Sequence, residues 1–141
     1  MTSSFVKSER VLIEGHFTPA TIVIENGKIS SIEDLNFPVT GAHSKTKIHD
    51  FGKKTLIPGL VDTHVHINEP GRAHWEGFAT ATQAAAAGGI TTVVDMPLNC
   101  NPVTTTADAL NQKLASLEEK LWIDCGFWGG VVPDNLDELD D

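Results

Sequence analysis

From residue 60 onward, short β-rich apolar runs alternate with helix-patterned segments, and this alternation admits few folds. Leu60 to Ile67 reads as a buried strand, residues 74–87 as an Ala-rich helix stopped at Gly88-Gly89, and Ile90 to Met96 as a second strand. Thr105 and Thr106 are candidate N-caps for a helix over about 107–121. There Ala107, Leu110, Leu114, Leu117 and Leu121 recur at three and four, which predicts one apolar stripe. Trp122 to Val132 holds a third strand centred on Cys125 to Trp128, and Pro133-Asp134-Asn135 reads as the start of a third helix. Strands and helices alternating at this spacing predict an α/β fold of parallel βαβ units. Three such units do not close a barrel, which needs eight. A parallel sheet left open has unpaired edges, so either a partner completes the fold or the sequence is part of a longer one.

The region before this has a different grammar. Residues 1–56 read as small β structure and 57–141 as the α/β region, with Pro58-Gly59 as the turn between them. Arg10 to Ile13 is a short strand. Thr21 to Glu25 and Lys28 to Glu33 flank Asn26-Gly27, the strongest short-range hairpin signal, because a type I′ turn needs positive φ at both central residues. Residues 34–47 are polar and mixed, as in an exposed loop.

Charge and composition exclude several functions. The net charge is −9 with only 10 Lys and Arg and no basic cluster, which argues against nucleic acid or an anionic membrane as partner. No apolar stretch approaches the roughly 20 residues of a membrane span, and no secretory signal is visible at Met1 to Phe5, so the expected location is cytoplasmic. Cys100 and Cys125 have no metal-finger spacing and read as reduced core or near-core thiols.

The chemistry-bearing residues cluster at strand ends. His64 and His66 are spaced i, i+2 at the end of the first α/β strand, so both side chains point to one face and can meet at one metal ion. The alternative is two histidines bonded to backbone groups at a strand terminus. Asp62 shares their face and is either a carboxylate orienting an imidazole or one bonded to backbone. Asn68 also shares that face and is placed to hydrogen-bond a substrate amide. Arg72 is placed either to recognise a carbonyl or to form a rim salt bridge, and Asn99 either to bind substrate or to form a turn before Pro102. His16, His43, His49 and His74 lack partners at ligand spacing and read as non-ligands. Trp75, Trp122 and Trp128 read as packing residues, and Asp137, Glu138, Asp140 and Asp141 as a solvated helix start.

The stretch Pro58-Gly59-Leu60-Val61-Asp62-Thr63-His64-Val65-His66 resembles the first-strand signature of the metal-dependent amidohydrolase superfamily. Ile67-Asn68-Glu69-Pro70-Gly71-Arg72, Trp75-Glu76-Gly77-Phe78, Ala84 to Thr92 and Asp95-Met96-Pro97-Leu98-Asn99 narrow it to the cyclic amidohydrolases, and within them to the allantoinase branch. The resemblance runs from about residue 10 to the end. Dihydroorotases carry Arg where this chain has Asn68, to hold a substrate carboxylate that allantoin lacks. The resemblance implies a (β/α)8 TIM-type barrel, of which this chain supplies the first three βα units, preceded by a segment of a small β-sandwich built from both termini. It implies a binuclear zinc site bridged by a carboxylated lysine, with His64 and His66 on the more buried metal. The lysine, two further histidines and the catalytic aspartate would come from later strands, so no catalytic residue is expected within this chain. The implied reaction is hydrolysis of the hydantoin ring of allantoin to allantoate in purine breakdown, by a water that the cations render acidic, in a homotetramer. A hydantoinase, dihydropyrimidinase or dihydroorotase activity, or a non-catalytic scaffold role, is the alternative. The 141 residues alone are expected to be inactive.

Overall fold

The computed structural model describes residues 3–38 and 46–138. The chain forms two compact units, Met1–Pro58 and Gly59–Asp141. His43, Asp140 and Asp141 lie outside the described residues.

The first unit is a five-stranded sheet built around one long strand. β1 (Ser3–Ile13) pairs antiparallel with β2 (His16–Glu25), and β2 with β3 (Lys28–Asp34). β4 (Lys47–Asp50) and β5 (Thr55–Leu56) both run parallel to β1. The first strand is therefore eleven residues long, and the short strand expected at Arg10 to Ile13 is only its end. Its earlier half carries Ser and Lys and has little intrinsic β preference. It is held by partners on both sides, which is tertiary context overriding propensity. A bulge separates Ser8 from Val11. The buried Ser8 hydroxyl supports it by donating to the Gly52 and Lys54 carbonyls and accepting from the Arg10 N–H.

The expected hairpin turn is present. Asn26 has φ +50° and Gly27 φ +77°, the left-handed pair that a type I′ turn requires. One face of the sheet buries Val11, Ala20 and Ile22 with Val6, Ile13, Ile24 and Leu56 packed against them. On the other, Phe5 stacks on Phe37 at 6.3 Å between ring centroids, and the Thr21 hydroxyl donates to the Leu35 carbonyl at 3.0 Å.

The second unit is a three-stranded parallel sheet in the order β6 (Leu60–Val65), β7 (Ile90–Asp95), β8 (Asp124–Phe127). Helix α1 (Phe78–Ala87) joins the first pair and α2 (Ala107–Ala115) the second. α1 begins four residues later than expected, because residues 74–77 form the end of the preceding loop, and Gly88 caps its C-terminus. α2 starts at the expected cap, with the Thr106 side chain accepting from the Ala109 N–H at 3.1 Å. It ends at Ala115, followed by turns.

Three expectations about burial require correction. The expected apolar stripe of α2 is not its inner face: Ala109 and Lys113 are its buried residues, whereas Leu114 is 44% exposed. The ion pair of Lys113 described below rotates the helix away from its leucines. Strand β6 is not buried, since Leu60 and Val61 are more than half exposed at the sheet edge, with a strand partner on one side only. Trp75, Trp122 and Trp128 are at least half exposed rather than packed inside, because each sits beyond a strand or helix end. Pro133-Asp134 forms a turn and Leu136–Glu138 a single 3-10 turn in place of the expected helix start. No helix among the described residues is long and apolar enough to cross a membrane.

The turn geometry sets a test. Gly27→Val places a β-branched residue at φ +77° and is expected to cost about 1–2 kcal/mol of stability, measured by urea unfolding. An unchanged midpoint would contradict the turn assignment.

Candidate active site

β6 delivers its two histidines by simple alternation. His64 lies within the strand and His66 one residue past its end, and their ring centroids are 5.3 Å apart with planes tilted by 56°. Both rings are solvent-exposed. Two neutral imidazoles this close can donate nitrogen lone pairs to one cation. Asp62 Oδ1 accepts from the His64 backbone N–H at 3.0 Å, so its carboxylate holds the strand backbone at His64 rather than an imidazole. Trp128 Nε1 donates to the Thr63 carbonyl at 3.0 Å, which ties the end of β8 to the same segment.

The strand end is fixed from β7. The Met96 N–H donates to the Val65 carbonyl at 2.8 Å, and the Ile67 N–H to Asp95 Oδ1 at 2.8 Å. Asp95 Oδ2 meets Lys113 Nζ of α2 at 2.6 Å, with both side chains at most 1% exposed. The Lys113 ammonium also lies 5.8 Å from the Phe127 ring centroid. Burial pushes the Asp95 carboxyl above its usual range, opposed by the Lys113 hydrogen bond, the Ile67 N–H and the charges of Lys113 and His66. Burial also raises the Cys125 thiol to about 11, and both cysteines are free.

The loops after β6 and β7 bring together Asn68, Arg72 and Asn99. Asn99 Nδ2 donates to Asn68 Oδ1 at 3.4 Å, and Arg72 Nη1 to the Asn99 carbonyl at 3.4 Å. Asn99 has φ +72°, so it forms a turn as well as joining the cluster. The Arg72 guanidinium lies 5.4 Å from the Trp75 ring centroid and forms no salt bridge among the described residues, so of its two sequence readings the rim ion pair is not the one seen. The two loops interlock where the Asn101 N–H donates to the Pro70 carbonyl at 2.8 Å, beside Gly71 at φ +90°. A Cβ on Gly71 would stand 2.7 Å from the Asn101 carbonyl oxygen.

Four residues that shape this region were missed by sequence reasoning: Glu69, Asp95, Lys113 and Lys120. Glu69 is 7% exposed. Its Oε2 accepts from the Phe78 N–H at 3.0 Å at the start of α1, and its Oε1 pairs with Lys120. The available signal was Lys113 itself, a charge four residues from Ala109 on what proved to be the inner face of α2. His16, His49 and His74 join no cluster, and no group of three or more His, Cys, Asp or Glu among the described residues could hold a metal ion.

The second unit thus has a parallel strand ending in paired imidazoles, followed by polar loops at the C-terminal sheet edge. Residues 55–140 match the amidohydrolase family, and the chain belongs to it. It is 51% identical over 136 residues to the allantoinase of Streptomyces avermitilis and 47% identical over 145 residues to that of Saccharomyces cerevisiae, covering 95% and 99% of this chain. The chain spans 29% and 32% of those relatives' lengths. Its fold is similar to that of the L-hydantoinase (dihydropyrimidinase) of Arthrobacter aurescens, with a TM-score of 0.83 and 34% identity, covering 98% of this chain and 30% of that one. Members of this superfamily are in general metal-dependent.

The buried pair sets a second test. Asp95→Ala strands the Lys113 ammonium in the interior and is expected to cost about 3–5 kcal/mol in urea unfolding. A loss under about 1 kcal/mol would show that the pair is not the support described here.

Proposed function

We propose that this chain is the N-terminal part of an allantoinase, a zinc-dependent hydrolase that opens the hydantoin ring of allantoin with water to give allantoate in purine breakdown. The observation that carries this reading is the convergence of His64 and His66 in a chain 51% identical to an allantoinase. In the same reading, residues 57–141 begin a (β/α)8 barrel and residues 1–56 are part of a small β-sandwich, and the complete protein is a cytoplasmic homotetramer.

The donor chemistry of the two imidazoles fits a zinc ion as two of its ligands. The described residues do not complete a binuclear set; in this reading the carboxylated lysine, the other ligands and the catalytic aspartate are those of the later strands of a complete barrel. Bound metal supplies Lewis acidity and lowers the pKa of water. The chain's own residues hold and orient. Asp62 fixes the backbone at His64, and Asp95 fixes the backbone just after His66. Asn68 and Asn99 present amide donors and acceptors complementary to the carbonyl and N–H groups of a cyclic amide, and Arg72 offers a cation to a carbonyl oxygen. No carboxylate-binding Arg occupies position 68, which agrees with a substrate lacking a carboxylate.

The likeness to an L-hydantoinase supports a wider second reading, a cyclic amidohydrolase of hydantoinase, dihydropyrimidinase or dihydroorotase type. A third reading is a non-catalytic scaffold, against which the convergence of His64 and His66 weighs. A chimera carrying this chain in place of the matching segment of the S. avermitilis enzyme separates these readings. It is expected to hydrolyse allantoin in preference to dihydroorotate and dihydrouracil, with His64→Ala and His66→Ala each abolishing turnover and lowering bound zinc. Preference for another ring, or full activity without the histidines, would overturn the proposal. The 141 residues by themselves are expected neither to bind two zinc ions nor to produce allantoate. Metal analysis of the purified chain and an allantoate assay check this, and a stoichiometric binuclear product with turnover would refute it.

A further inference from the structure

The loop from Ile67 to Phe78 carries Asn68 and Arg72, and its two ends are held in the same way. At the first end the Ile67 N–H donates to Asp95, which pairs with Lys113. At the second end the Phe78 N–H donates to Glu69, which pairs with Lys120. Each end is therefore a backbone N–H, a buried carboxylate and an ammonium in series. Both ammonium groups come from one short stretch, α2 and the turn after it. Three further contacts close the same space. The Thr82 hydroxyl of α1 lies 3.4 Å from the Lys120 carbonyl and accepts from the Trp122 N–H at 3.2 Å. A Cβ on Gly77 would stand 2.8 Å from Glu69 Oε2, so the loop is packed onto its own clamp.

Charge-assisted hydrogen bonds in a buried setting are the strong and directional kind, and they weaken sharply when one partner is removed. We infer that Lys113 and Lys120 are positioning residues that pin both ends of the 67–78 loop through Asp95 and Glu69, and so set the relative placement of Asn68, Arg72 and Asn99. Among the described residues Lys113 pairs with Asp95 and Lys120 with Glu69, so each acts through its carboxylate. That the placed groups meet a cyclic amide rests on the reading given under Proposed function. The clamp itself does not.

Amide hydrogen exchange of the 141-residue chain, followed by NMR, tests the inference. Lys120→Met is expected to speed exchange at Phe78 about tenfold while leaving Val94, in the central strand β7, unchanged. Lys113→Met is expected to do the same at Ile67. The side-chain amide resonance of Asn99 should move in both variants, and Lys120→Arg should restore it. Lys113→Met leaves a buried carboxylate unpaired and can unfold the chain, in which case Lys120→Met and Glu69→Gln, at the more exposed pair, decide the matter. Unchanged exchange at Phe78, or acceleration equal at Phe78 and Val94, would overturn the inference, the second because it marks a global loss of stability. Neither readout needs turnover. A chimera that prefers another ring would remove the allantoin reading and leave the clamp, whereas intact allantoin hydrolysis with unmoved resonances would remove the clamp alone.

Discussion

A carboxylate taken out of water must recover its lost hydration from hydrogen bonds and a counter-charge, and Asp95 recovers it from two partners, which joins three elements. Its own strand is β7, its hydrogen-bond donor follows β6, and its counter-ion is on α2. The order of the second unit depends on this junction. It sets which face of α2 turns inward, overriding the leucine pattern, and it anchors the backbone beside His66. Its neighbour Asp62 does a lesser version of the same job in solvent, accepting one backbone N–H at His64. The imidazole pair is thus supported on both sides by carboxylates that bond to main chain.

The first unit shows how a long strand can be built from an unpromising sequence. Ser3 to Ser8 lacks the β-branched density of a strand, yet it is paired on both sides, with β2 antiparallel and β4 parallel. The Ser8 hydroxyl compensates the bulge by replacing ladder bonds with bonds to Gly52 and Lys54. Burial on both faces follows from Phe5 and Phe37 on one side and the Val11–Ala20–Ile22 cluster on the other.

Much of this was legible in the sequence because it rests on local rules. The Asn26-Gly27 turn, the Thr106 cap, the stop at Gly88 and the shared face of His64 and His66 each follow from backbone preference or strand periodicity over a few residues. What was not legible depends on partners far along the chain. Lys113 lies off the apolar stripe and nothing local marks it for burial until Asp95 is placed opposite it, eighteen residues away. Lys120 and Glu69 are fifty-one residues apart and share no local signal. The three tryptophans look like core by composition, and only the positions of the strand ends put them outside. For Arg72 the sequence leaves carbonyl recognition and a rim ion pair both open, because it shows the charge but not the Trp75 ring beside it.

The imidazole pair and the polar cluster differ in how they are specified. The two rings are two residues apart on one strand, so the pleat alone brings them together. The contact between Asn68 and Asn99 spans thirty-one residues and exists only because two loops interlock. Replacements within those loops can therefore redraw the polar surface while the strand pleat keeps the two imidazoles together. The imidazole pair and the polar cluster beside it can thus change independently of each other.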